Sequence, residues 1–336
     1  MSGNYNDNDT SIVQQPTTAI EAVTDPSDDS EFDPEEWDAN SVSSYSLNSS
    51  LYAHEDSNGR SFHRYRHGRY PMPNDQTEQN REDMKHAMLL ELTVSLTALC
   101  IFHFHGTDVD DIQDGNEVAD VFPGASVIGT DLSPMQPNAV SPNLRFYIDD
   151  GEDDEGLLGD GYDFVHFWSV APVLRGLDRV LDKAYDGFRR MKSDAWIEFQ
   201  ELHGQVHCDD GTMPEEDGLK KFYKLTVDAF AGLGMHFHHA RDLGHYLGAA
   251  GFKNIHCKFS KIPIGTWPKN DKMRSVGMFM ASAVAEAIPA FAGNPFEAHG
   301  ISAQDSRAWQ TLAMQELADN SKHRYFDLYF WHAQKP

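Results

Sequence analysis

From residue 125 to residue 264 the chain alternates short runs of β-branched and aromatic residues with stripes of helical period. "ASVIGTD" (125–131), "NLRFYIDD" (143–150), "YDFVHFWSV" (162–170) and "AWIEFQEL" (195–202) read as strands, because such residues suit a pleated, buried surface. Between the third and fourth, Leu174, Leu177, Leu181, Ala184, Phe188 and Met191 recur at helical spacing. Later stripes through Leu219, Phe222 and Phe230 and through Leu243, Leu247 and Ala250 mark two more helices, the second stopped by Gly251. "KNIHCKFSKIPI" (253–264) and "RYFDLYFWHA" (324–333) read as late strands. Strands alternating with helices predict an α/β fold, a mostly parallel sheet covered by helices on both faces.

Upstream, "DQTEQNREDMKHAMLLEL" (75–92) predicts a helix capped by Asp75, with Glu78 placed as in a capping box and Met84, Met88 and Leu92 along one face. Residues 1–50 hold eleven Asp or Glu and no Lys or Arg, against a net charge of −26 for the whole chain. So acidic and apolar-poor a segment cannot bury enough surface to offset its chain entropy, and residues 1–44 are expected to be a disordered tail. Residues 45–75 are expected to form a lid or linker. Residues 76–336 then form the main domain, with a helical insertion at about 270–320 on its substrate side.

The acidity argues against nucleic acid as a partner. No apolar run reaches the length of a membrane span, and no membrane association is expected. The chain does not open with a basic, then apolar leader, and Cys100, Cys208 and Cys257 form neither a disulfide framework nor a zinc pattern. A cytoplasmic location is therefore expected. "MHFHHA" (235–240) and the pair His103 and His105 lack accompanying acids or cysteines, so no metal is expected.

In open α/β sheets, ligands bind beyond the carboxyl ends of the strands. Asp131 ends one predicted strand, where an acid can accept hydrogen bonds from both ribose hydroxyls of a nucleoside. Asp149 and Asp150 end the next, where an acid can receive an adenine amino group. Acids also follow strands simply because turns favour Asp; it is the ordered set that points to a nucleoside.

"IGTDLSP" (128–134), "PNLRFYIDD" (142–150), "WIEFQEL" (196–202), "CDDGTMPEEDGL" (208–219), "AGFKNIHCKFSKIPIGTWPK" (250–269), "NGRSFHRYRHGRYPMPNDQTEQNRED" (58–83) and "YFDLYFWHAQKP" (325–336) together resemble the fungal LaeA-type methyltransferases. The resemblance spans about residues 45–275 and the closing strand. It implies a Rossmann-like, seven-stranded class I methyltransferase sheet and S-adenosyl-L-methionine as cofactor. Asp131 would be the ribose-binding acid and Asp150 the adenine-side acid. It also implies a setting in fungal secondary metabolism, one version of which is a bisindolylquinone (terrequinone-type) cluster.

The stretch "HFHGTDVDDIQDGN" (103–116) departs from that family, whose pattern there is a strand, GTGTG and a helix leading into "ADxFPGA". "ADVFPGA" is intact at 119–125, yet counting back places Asp108, Asp110 and Ile112 on the glycine positions; starting instead at Gly106 keeps one glycine. Glycine permits positive φ and close backbone approach to a ligand, so its loss weakens a cofactor cradle. The family's KPGG turn is likewise "MKSDA" (191–195) here, a second loss read as flanking the methionine half. Three explanations stand: a remodelled site with Gly106 and Asp108 still lining it, a fold that has lost the cofactor, or a misjoined gene reading across 93–116.

For catalysis, methyl transfer needs positioning and, for a hydroxyl acceptor, a base. His166 or His203 can serve as base, and Trp168 can stack on an aromatic acceptor. The expected activity is methyl transfer to a small aromatic or polyketide-like acceptor. The alternatives are a non-catalytic protein that steers a pathway by binding an intermediate or partner biosynthetic enzymes, and a nuclear LaeA-like regulator of metabolite gene clusters. Fold alone does not choose among them.

Overall fold

In the computed structural model the described residues are 12–14, 20, 54–57, 59–63, 68–93, 115–132, 140–153, 161–186 and 191–336. Gly106, Asp108 and the loop 103–114 lie outside them, as do most of the acidic tail and Cys100. The strands are β1 (Ile12–Gln14), β2 (His54–Ser57), β3 (Arg60–His63), β4 (Val127–Asp131), β5 (Leu144–Ile148), β6 (Tyr162–Trp168), β7 (Met191–Leu202), β8 (Lys253–Pro263) and β9 (Tyr325–Gln334). The helices are α1 (Gln76–Thr93), α2 (Gly115–Val121), α3 (Leu177–Asp186), α4 (Gly218–Gly232), α5 (His239–Ala249), α6 (Asp271–Phe291), α7 (Asn294–Ala298) and α8 (Ala303–Leu317).

Alternation of apolar runs and helical stripes becomes alternation of strands and helices, as the α/β reading requires. The main sheet has the order β1-β8-β9-β7-β6. β6 runs parallel to β7 and β1 parallel to β8, while β9 is antiparallel to both its neighbours. β4 and β5 form a separate parallel pair, and β2 and β3 an antiparallel one. One seven-stranded sheet is thus not what the described residues show. The chain between α1 and α2, which carries the strand-like stretch ahead of the opening loop, lies outside them.

Side chains alternate across the main sheet and feed two cores. Ile197 and Phe199 of β7 with Tyr329 and Trp331 of β9 pack under α3 and α5. Leu328 and Phe330 of β9 and Ile262 of β8 face the other way, under α1, α4, α6 and α8. Phe199, Phe222 and Phe326 are fully buried, and burial of each such ring contributes about 1.5–3 kcal/mol. α5 ends as its sequence suggests: Gly251 takes φ 101°, and the Phe252 N–H returns to the Leu247 carbonyl at 3.1 Å.

α1 holds a finding that its apolar pattern conceals. Asp75 caps it, accepting the Glu78 N–H at 3.1 Å, but the Glu78 carboxylate turns to Arg81 at 3.0 Å. The buried face carries Glu78, Arg81 and Lys85 up to its middle and Met88, Leu89 and Leu92 beyond it. Met84 is only half-buried. The inward stripe is therefore ionic where it approaches the sheet's carboxyl edge and apolar where it meets α6.

The "MKSDA" turn is not where the sequence reading puts it. Residues 191–195 open β7 at its amino end, Met191 pairing with Tyr162, whereas the ligand edge of a parallel sheet is the carboxyl end. The missing glycine is absorbed locally. Asp194 adopts φ 64°, a region Asp tolerates better than most residues, and its N–H donates to the Lys335 carbonyl at 2.8 Å. This turn has no part in holding a cofactor's methionine half.

Candidate active site

Two groups of side chains collect at carboxyl ends of strands. The first lies on β4 and β5, where Asp131 is paired in register with Ile148 and the Asp149 N–H donates to the Asp131 carbonyl at 3.0 Å. Asp131, Asp149 and Asp150 are thus brought together on adjacent strand ends. Asp131 is exposed, while Asp149 and Asp150 are buried. Arg69, from the segment before α1, donates to Asp150 at 2.9 Å and also pairs with Glu152. Glu152 in turn accepts the N–H groups of Arg175 and Gly176, at 3.1 and 2.8 Å, just ahead of α3. This cluster ties the end of β5 to the loop that follows β6.

The second group lies on β6, β7 and α1. Ser169, directly after β6, has φ 52°, a strained conformation for serine, held by its N–H to the Gln200 carbonyl at 3.0 Å. Its hydroxyl accepts from Lys85 Nζ at 3.1 Å, and the same ammonium stands 5.0 Å from the centre of the Trp168 ring. Glu82 completes the set, pairing with Lys85 at 2.9 Å and accepting from the Trp168 indole. Burial alone would raise the Glu82 carboxyl, but the charges of Arg81 and Lys85 outweigh it and hold it at about 2. Burial lowers the Lys85 ammonium, and Glu82 only partly restores it.

Glu201 closes this group from beneath. One oxygen accepts the N–H groups of Val170 and Ala171, at 3.1 and 3.0 Å, fixing the turn that presents Trp168 and Ser169. Its other oxygen is buried with no hydrogen-bond partner. Complete burial lifts the carboxyl to about 8 despite the two backbone donors, so it is mostly neutral at pH 7.

His166 and Trp168 alternate onto the same face of β6, and His166 Nδ1 lies 3.7 Å from Glu198. Its Nε2 is buried without a hydrogen-bond partner. His203 is not brought to them. It follows β7 on the opposite face from Glu198 and roughly 16 Å further along, at about 3.3 Å per residue. There it meets His238 at 3.5 Å, and burial with neighbouring His238 and His207 lowers it to about 4. Sequence reasoning missed Glu82, Arg81 and Lys85, since charged residues on a helix read as a solvated face. The i,i+3 spacing of Glu78 with Arg81 and of Glu82 with Lys85 was the available signal.

The nucleoside half of S-adenosyl-L-methionine fits the first group. An exposed carboxylate ends one strand and buried acids end its neighbour, the residue type that accepts hydrogen bonds from ribose hydroxyls and the adenine amino group. Arg69 and the Glu152 N–H hold the Asp150 carboxylate in place.

An α/β arrangement with acids at adjacent strand ends and the Trp168, Lys85 and Glu82 group beside them is the arrangement expected of a Rossmann-like methyltransferase. The methyltransferase-domain family model matches residues 114–257. Methyltransferase pytC of Aspergillus terreus is 30% identical over 298 residues, covering 87% of this chain and 91% of the relative. The protein-methionine methyltransferase laeA of Emericella nidulans is 28% identical over 324 residues, covering 90% and 83%. Among solved structures, the plantazolicin methyltransferase BpumL aligns with a TM-score of 0.32 at 11% identity, covering 78% of this chain and 86% of that one. The chain belongs to the fungal methyltransferase family that holds pytC and laeA.

Proposed function

We propose that the chain is an S-adenosyl-L-methionine-dependent methyltransferase acting on a small aromatic or polyketide-like acceptor in fungal secondary metabolism. The observation that carries this reading is the placement of Asp131 beside Asp149 and Asp150 at the adjacent carboxyl ends of β4 and β5, in a chain of this family. The bound cofactor supplies an electrophilic methyl group on a sulfonium. Asp131 holds the ribose, and Asp149 with Asp150 faces the adenine side. Trp168 stacks on the acceptor, with Lys85 and Glu82 fixing its ring, and the vacant Nε2 of His166 takes the acceptor proton. Gly106 and Asp108 are assigned to the methionine side on the family pattern alone. Residues 45–75 act as a lid, supported by Arg69 over Asp150 and by burial of Met72 beside Phe230 and Met235. Among the described residues no helix is long and apolar enough to cross a membrane.

A second reading draws on the Arg69–Asp150 ion pair, in which a cation of this chain engages the acid expected on the adenine side. It makes the chain a non-catalytic methyltransferase-like protein that binds an intermediate or partner biosynthetic enzymes, or a LaeA-like nuclear regulator. S-adenosylhomocysteine binding separates the enzymatic reading from the non-catalytic one. At about 100 times its dissociation constant a ligand stabilises the native state by roughly 2.7 kcal/mol, seen as a rise in Tm. Asp131→Asn should weaken binding roughly 10–100-fold, the worth of hydrogen bonds to a charged acceptor. No rise in Tm at millimolar S-adenosylhomocysteine refutes the enzymatic reading and leaves the second.

A further inference from the structure

His203, His207 and Asp327 converge from strands distant in sequence, away from His166 and Trp168. Regular pairing of β7 with β9 ends at Leu202 and Leu328, and the His203 N–H then donates to the Asp327 carbonyl at 2.9 Å. The next cross-strand pair is His207 with Tyr325, bonded both ways at 2.9 and 3.0 Å. Gly204, Gln205 and Val206 therefore stand opposite Phe326 alone, and this bulge sets both imidazoles on the face of Asp327. Gly204 is required there: a Cβ would lie 2.7 Å from the Phe237 ring.

One ligand atom from each of the three residues lies within 4.8 Å of the other two, and His207 Nε2 is 3.5 Å from Asp327 Oδ2. Tetrahedral zinc with bonds of about 2.0–2.1 Å sets neighbouring ligand atoms about 3.3 Å apart, so only side-chain adjustment separates this group from a coordination shell. His203 is 2% exposed, yet its Nδ1 has no hydrogen-bond partner, nor do His207 Nε2 and Asp327 Oδ1. Native structures rarely leave three neighbouring buried polar atoms unsatisfied. Lys261, whose charge acts on Asp327, is already committed to Asp209 at 2.5 Å. His238 Nδ1 sits 3.5 Å from the other ring nitrogen of His203, where an orienting outer partner belongs.

We propose that His203, His207 and Asp327 bind one divalent transition-metal ion of the zinc class. Two imidazoles and one carboxylate suit zinc or iron over magnesium or calcium, which prefer all-oxygen shells. Three protein ligands leave a fourth position for water, on the side where His207 is part-exposed. His203 then serves as a ligand, its lone pair engaged, and the base role falls to His166. The proposed site departs from the sequence-based expectation of no metal, and it stands independently of methyl transfer.

The test uses the full chain, stripped with a chelator and titrated with Co²⁺ alone. One equivalent should bind with intense visible d–d absorption, and Zn²⁺ should displace it. His207→Gln and Asp327→Asn should each weaken binding by about 100-fold or more, since even outer partners of metal ligands are worth 10–100-fold. The part-exposed His207 makes its variant the one that keeps the fold, checked by an unchanged Tm without metal. In the unsubstituted chain Zn²⁺ should also shift the ring ¹⁵N resonances of His203 and His207. The pairs His256–His332 and His236–His239 survive in both variants. Failure to take up Co²⁺, or uptake unchanged in both variants, overturns the proposal.

Discussion

Replacing Glu201 by Gln should change how stability depends on pH in a direction the structure fixes. In the native chain burial lifts this carboxyl from its ordinary 4.5 to about 8. Folding therefore favours the protonated form. Below pH 4.5 both states are protonated and the group costs nothing. Between pH 4.5 and 8 the unfolded chain ionises while the native one stays neutral, so stability falls as pH rises. At 1.36 kcal/mol per unit, the full effect above pH 8 is at most roughly 5 kcal/mol, and relaxation of the site will make it smaller. Gln keeps an oxygen for the N–H groups of Val170 and Ala171 and cannot ionise. The variant should match the parent within about 1 kcal/mol at pH 5 and exceed it by several at pH 8.5. Urea unfolding followed by circular dichroism at four pH values measures this, with all other titrating groups common to both chains. Parallel pH slopes would refute the assignment of a neutral, buried Glu201.

Two further perturbations probe buried charge. Glu82→Gln and Lys85→Met should each destabilise the protein, and the double variant should lose less than their combined effects, a coupling of about 1–3 kcal/mol; additive losses would show that the pair does not interact. Arg324, 1% exposed, donates to Asp217 at 2.6 Å and to the Glu316 carbonyl at 2.6 Å, while Asp217 caps α4. Arg324→Met should cost about 3–5 kcal/mol by stranding the Asp217 carboxylate, with Asp217→Asn restoring part of it, read by denaturant midpoint.

Regular elements were legible because burial imposes a period. β4, β5, β6, β8 and β9 follow runs such as "VHFW" and "YFDLYFW", and the predicted cap at Asp75 and stop at Gly251 are both present. Ends were less legible: the strand expected from residue 195 begins at Met191, because Asp194 bends the chain without ending its pairing. The strand-end acids were legible since local order alone brings Asp131 beside Asp149. Lys85 beneath Trp168 was not, because it depends on how α1 docks across the sheet. His203 with Asp327 depends on an antiparallel pairing between remote segments, which no local spacing encodes. The charges of α1 were misleading because Glu78, Arg81, Glu82 and Lys85 pair with one another along the helix, and that lets it bury them.

β9 occupies an interior lane of the main sheet, with β7 on one side and β8 on the other, although it is the last of the strands to be made. Translation must therefore deliver both flanking strands with open hydrogen-bonding edges and hold them so until residues 325–334 clear the ribosome. A nascent chain in that condition presents sheet edges open to mispairing with its neighbours on a polysome. Slower elongation through the α6–α8 stretch lengthens that exposure.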